Sequence, residues 1–293
     1  MSKKKKTSSI KEKIFPKEGG NIIDIAPFIS RRAVDRVMSG TFDEVDETAL
    51  YEAQEIIYRA WESAGRKQRV QLAREALGIS PDCADAYVLL AEESAASLDD
   101  AMELYKKGVD AGERVLGKSA FADDVGYFWV ILEARPYMRA REGLAQCLWD
   151  KGEHEEAILH YKDMLRLNPD DNQGIRYICM SCLLELDRYD ELWDLLSDYA
   201  GDDDTYWLYT KALVSFRREG DSEGSVTLLE KAVDANPHVP SYLLGTKKIS
   251  RRLPEYVGIG DESEALVYAA ANVDTWKKTP GVLDWLAVRN RLL

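Results

Sequence analysis

The stretch Gly152-Glu153-His154-Glu155-Glu156-Ala157-Ile158-Leu159-His160-Tyr161-Lys162-Asp163-Met164-Leu165-Arg166-Leu167-Asn168-Pro169 decides the fold. Its key positions recur 68 residues later: Gly152 as Gly220, Ala157 as Ser225, Tyr161 as Leu229, Leu165 as Val233, and Asn168-Pro169 as Asn236-Pro237. That interval is two periods of about 34 residues, the length of a tetratricopeptide repeat. The chemistry fits two antiparallel helices per period. A small residue is needed where helices cross closely, a large one fills the space beside it, and proline stops the second helix.

Before this stretch, Leu144-Ala145 takes the contact position on the first helix of this repeat, and Arg141 stands where the repeat has tryptophan. The next periods fall at about 172–203 and 206–237. Upstream, Pro81 lies 88 residues before Pro169. The excess over two periods predicts an insertion at about 117–135, aromatic and irregular. Before it, 85–96 and 98–111 read as a hairpin with Ala91, Ala101 and Tyr105 at the repeat positions. Residues 48–80 read as a weaker first pair.

At the C-terminal end Leu253-Pro254 must break a helix, and Asp261 is placed to cap the next one. The expected fold is therefore all-α: a right-handed α-solenoid of tetratricopeptide-like hairpins with an atypical C-terminal helical cap. The expected organisation is a disordered basic tail over 1–20, a lead segment over 21–45 with a short helix from Ser30, and the repeat domain over 46–293.

Three segments also resemble the family called suppressor of tumorigenicity seven. They are Cys83-Ala84-Asp85-Ala86-Tyr87-Val88-Leu89-Leu90-Ala91-Glu92-Glu93-Ser94, Asn236-Pro237-His238-Val239-Pro240-Ser241-Tyr242-Leu243-Leu244, and Gly260-Asp261-Glu262-Ser263-Glu264-Ala265 with Tyr268 and Trp276 downstream. In order and spacing the resemblance covers about residues 45–290. It implies a helical-repeat body and carries no catalytic residue with it. No apolar run approaches the roughly 18 residues that span a bilayer, so the expectation is a soluble relative of bacterial type.

The net charge of −13 is uneven. Lys3, Lys4, Lys5, Lys6, Lys11, Lys13 and Lys17 face Glu12 alone, so the first 17 residues carry +6 and the rest −19. An acidic body opposes broad phosphate contact. The tail leaves one alternative open, a nucleic-acid-associated regulator. A regulatory subunit of an enzyme is another.

Chemistry-bearing patterns are few. Cys179-Met180-Ser181-Cys182 lies mid-helix without a second ligand pair, so buried packing is the better reading. With Cys83 and Cys147, four thiols among apolar neighbours suit a reducing cytoplasm. His154, His160 and His238 lack metal-binding spacing. Glu92 and Glu93 point about 100° apart on a helix and share no site. The sequence thus predicts no enzyme, metal or cofactor. It predicts a scaffold that takes a protein or peptide on the concave face lined by the first helices. In the register set by Pro169 and Pro237 that face holds Arg139, Glu142, Gln146, Trp149, Arg176, Met180, Trp207, Thr210, Arg217 and Lys248. The arginines among them suggest an acidic, carboxylate-bearing peptide, unless they pair with neighbouring carboxylates.

Overall fold

The structure, a computed structural model, describes residues 45–290. The tail expected over 1–20, and the helix expected from Ser30, lie outside the described residues. Among those described, the chain forms thirteen α-helices and one 3-10 turn, with no strand. They fall into two compact units divided between Gln173 and Gly174.

Unit 1 contains α1 (Glu47–Glu62), α2 (Arg66–Ile79), α3 (Ala84–Ser94), α4 (Leu98–Asp123), a 3-10 turn (Leu132–Ala134), α5 (Arg135–Asp150) and α6 (His154–Leu167). Asp46 starts α1 by accepting the Ala49 amide at 2.9 Å. Ser97 does the same for α4 with Asp100. Each cap satisfies a donor that the helix itself cannot. Ala53, Ile56, Ile57 and Ala60 of α1 pack with Ala73 and Ala76 of α2, and Ala86, Leu89 and Leu90 of α3 continue the core. The small residues let helix axes approach. At the α4–α5 crossing a Cβ on Gly112 would stand 2.7 Å from Tyr137 Cβ.

The segment expected to be an irregular insertion is partly helical. The span α4 is two helical pieces: the first stops at Gly117, whose φ of +72° and ψ of 161° are not helical, and the second continues from that kink to Asp123. The chain then folds back on α6: the Gly126 and Phe128 amides donate to the Leu167 carbonyl at 3.1 and 3.2 Å. Phe121, Phe128 and Tyr137 close this corner with ring centroids 5.2–6.0 Å apart.

Unit 2 contains α7 (Ile175–Glu185), α8 (Tyr189–Asp198), α9 (Thr205–Glu219), α10 (Glu223–Ala235), α11 (Val239–Leu243), α12 (Glu262–Lys278) and α13 (Val282–Arg289). Asp204 caps α9, Ser222 and Ser225 cap α10 reciprocally, and Asp261 caps α12. The core is aromatic. Tyr209 of α9 meets Tyr268 and Trp276 of α12, and Trp285 of α13 stacks on Phe216. Asn236, fully buried at the end of α10, donates to the Asp261 carbonyl at 2.9 Å and so ties α10 to the start of α12. The last two helices thereby cover the apolar side of α9, the task expected of an end cap.

Candidate partner-binding face

In unit 1 the first helices of the three hairpins are α1, α3 and α5. Their shared face is organised by one buried charge. Asp85 on α3 is 0% exposed. Arg139 on α5 grips it with both nitrogens of its fork: Nε to Oδ1 at 2.7 Å and Nη2 to Oδ2 at 2.6 Å. Gln54 on α1 donates to Oδ2 at 2.9 Å. Three helices are thus fixed to one carboxylate, and a forked donor suits it where a lysine would not.

Around this anchor the face is aromatic and polar. The Arg139 guanidinium lies 5.4 Å from the Trp61 ring centroid, and Trp61 is tilted against Tyr58 at 5.8 Å. Both rings stay open to solvent, at 42% and 48%. Gln173 donates to Glu142 at 2.7 Å. Burial, with Asp171 and Glu92 adding, pushes the Glu142 carboxyl above the usual range against that bond. Glu92 is pushed up too, by burial and then by Glu93 and Asp85. Gln146 is exposed and donates to Asp150. Trp149 stacks on His154 at 4.2 Å.

In unit 2 the expected face residues sit differently. Met180 is fully buried, because α7 is apolar on most sides. Trp207 is buried edge-on between Tyr177 and Tyr199, at 5.7 and 5.9 Å. Thr210 is buried against Tyr268, where α12 lies over α9. None of these three lines a surface. Arg176 bonds Asp202 at 2.6 Å and lies over the Tyr177 and Tyr199 rings. Arg217 lies over Tyr189, donates to its hydroxyl, and reaches Thr279 Oγ1 at 3.1 Å. Lys248 was expected on a helical face. Instead α11 stops at Leu243 with Gly245 at a φ of +72°, and Lys248 is exposed in the following loop. A left-handed glycine just past a helix is a common stop.

The other candidate groups are buried or paired with neighbouring side chains. All four cysteines are buried and none forms a disulfide. Burial, helped by Cys179 and Glu185, pushes the Cys182 thiol up to about 12. Glu93 is held by Arg69 at 2.6 Å. Arg141, at the tryptophan position, donates to His160 Nδ1 at 3.0 Å, to the Tyr137 hydroxyl and to Asp163. Burial and this guanidinium hold His160 neutral down to about 4, from an ordinary 6.5. Because the folded value is depressed, this contribution to stability is present above about 6.5 and is lost as pH falls towards 4. His160→Gln should flatten stability against pH in that window, measured by denaturant titration at each pH. An unchanged acid limb would show that His160 titrates freely.

Sequence reasoning missed Asp85, Tyr58 and Trp61. The aromatic pair was legible in principle. Tyr51, Gln54, Tyr58 and Trp61 recur at three- and four-residue steps on a face of α1 opposite its alanines. Asp85 was not, since its partner stands 54 residues away.

Stacked helix hairpins with small residues at the crossings and a glycine or proline at the turns define a class: helical-repeat proteins of tetratricopeptide type. Within it, the chain belongs to the ST7 protein family, whose sequence profile matches residues 38–291. The resemblance read from the three segments above is thereby confirmed. The human "Suppressor of tumorigenicity 7 protein-like" is 30% identical over 270 residues, covering 84% of this chain and 46% of that protein. "Protein ST7 homolog" of Drosophila melanogaster is 30% identical over 273 residues, covering 84% and 50%. The Caenorhabditis elegans homolog is 30% identical over 288 residues, covering 84% and 52%. The chain spans about half the length of the curated relatives it matches. Among solved structures, that of YrrB, a TPR protein with an unusual peptide-binding site, aligns with 69% of this chain and 91% of its own, at 16% identity and a TM-score of 0.43. No helix among the described residues is long and apolar enough to cross a membrane.

Proposed function

We propose that the chain is a non-catalytic protein–protein interaction scaffold that receives its partner on the α1–α3–α5 face of unit 1. The observation that carries this reading is the open Tyr58–Trp61 pair beside the Asp85–Arg139–Gln54 anchor. Tryptophan, tyrosine and arginine concentrate binding energy at interfaces. A surface already held rigid loses less entropy when it is occupied. An acidic peptide needs arginines free to pair, and Arg139 and Arg176 are committed to Asp85 and Asp202. The reading we retain is a protein or peptide partner without an acidic preference. Four buried cysteines outside any disulfide support a reducing, cytoplasmic setting.

The test is affinity capture with mass spectrometry on the full chain. Wild type is compared with a Tyr58→Ala, Trp61→Ala variant and with a deletion of residues 1–18. Both rings are solvent-exposed, so unchanged helical circular dichroism is expected. A partner lost in the double variant and kept without the tail supports the proposal. A partner set indifferent to the double variant and lost with the tail would move the function to the lysines.

A further inference from the structure

The connection between α11 and α12 stands apart from the rest of unit 2. Four cations come within six residues: Lys247, Lys248, Arg251 and Arg252. Between Gly245 and Gly260 only Glu255 opposes them, in a chain whose net charge is −13. Four large apolar side chains follow at once, and all are exposed: Leu253, Tyr256, Val257 and Ile259. Tyr256 is 88% exposed and Ile259 91%. A single exposed apolar side chain is ordinary. Four in one short stretch beside four cations mark a surface that meets something.

The loop does not reach solvent by hanging loose. At its start the Lys247 amide and the Thr246 hydroxyl donate to the Ser241 carbonyl at 2.8 and 2.9 Å. At its end the Gly258 amide donates to Ser263 Oγ at 3.0 Å, and the Gly260 amide to Glu264 Oε2 at 2.6 Å. Both ends are therefore pinned to helices, and the apolar side chains project from between them. Lys247 meets Glu262 at 2.8 Å and Arg252 meets Glu255 at 3.7 Å, with every side chain exposed. Water and salt weaken such pairs, so the cations stay available to a stronger anion.

We propose that residues 247–259 form a docking loop for an anionic lipid surface. Lys248 and Arg251 face headgroup phosphates and carboxylates, while Tyr256 and Ile259 enter the boundary between headgroups and acyl chains. Cations combined with a few projecting apolar groups are what an anionic interface attracts, and tyrosine settles at headgroup level. A protein partner is the weaker fit, since interface cores are poor in lysine and this irregular backbone offers neither a helix face nor a strand edge.

The experiment is flotation of the full chain with vesicles of phosphatidylcholine and phosphatidylserine, and with phosphatidylcholine alone, at low and high salt. Wild type should bind the anionic vesicles at least about tenfold better than the neutral ones, and less well at high salt. Lys248→Glu, Arg251→Glu and Tyr256→Ser, Ile259→Ser should each weaken binding at least about tenfold, with helical circular dichroism unchanged. Wild type that ignores the anionic vesicles overturns the proposal. So do loop variants that bind as wild type does, which would place the attraction in the first 17 residues. A captured protein that both loop variants lose, without vesicle binding, would reassign the loop to a protein partner.

Discussion

Arg139→Met should destabilise unit 1 by about 3–5 kcal/mol, the usual cost of removing one partner from a buried ion pair. Methionine keeps the apolar stem as far as the Nε position, so what is lost is chiefly the guanidinium with its charge and its two hydrogen bonds. It leaves Asp85, 0% exposed, with Gln54 as its remaining side-chain donor. Arg139→Lys should recover only part of it, because an ammonium cannot make the two parallel bonds seen at 2.7 and 2.6 Å. Replacing both partners, as Asp85→Leu with Arg139→Met, should cost less than Arg139→Met alone, since no charge is then left buried. Two units need not unfold together, so the readout is hydrogen exchange of the α3 and α5 amides. A loss below about 1 kcal/mol would mean that water reaches Asp85 and that the pair behaves as a surface bridge.

The second large effect is expected in unit 2. Trp276 is fully buried in α12, and its indole N–H donates to the buried Tyr268 hydroxyl at 2.9 Å. Trp276→Ala should cost unit 2 about 3–5 kcal/mol through lost burial and the cavity left behind. Trp276→Phe keeps much of the apolar contact and loses the hydrogen bond, so about 1–2 kcal/mol is expected. Exchange protection of α9 and α12 amides reports both. If the alanine variant protected α9 as well as wild type does, α12 would be an independent appendage and not part of this core.

The repeat was readable because its positions have strict physical demands. Gly152 and Gly220 both hold positive φ, which side chains resist. Ala157 and Ser225 are both fully buried at close approaches, and Tyr161 and Leu229 fill the space beside them. Asn168 and Asn236 both end a helix just before a proline. Where the demand is loose, the reading drifted. Nothing in the pattern required the first piece of α4 to stop near residue 111; it reaches the kink at Gly117, where the insertion was expected to begin, and a second helical piece follows to Asp123. Lys248 and Arg251 would have extended a helical stripe had Gly245 not ended α11. The site shows the same division. Periodicity assigns Arg139, Glu142, Gln146 and Trp149 to one side of α5. It says nothing of what lies over that side, so it gave Trp207 and Thr210 the same standing although neighbouring elements cover them. Pairings such as Arg139 with Asp85 depend on how whole helices stack, and no local window contains them.

The buried thiols have a practical consequence. Cys83 and Cys147 belong to unit 1, Cys179 and Cys182 to unit 2. Burial pushes Cys83 and Cys182 up to about 12 and raises Cys147 as well. An alkylating reagent needs a thiolate and a path to it, so each cysteine should stay silent while the unit around it is closed. Labelling therefore occurs only during opening, and the native sequence already contains a pair of chemical stopwatches in each unit. Pulse alkylation followed by peptide mapping would time the two units separately, with no engineered probe.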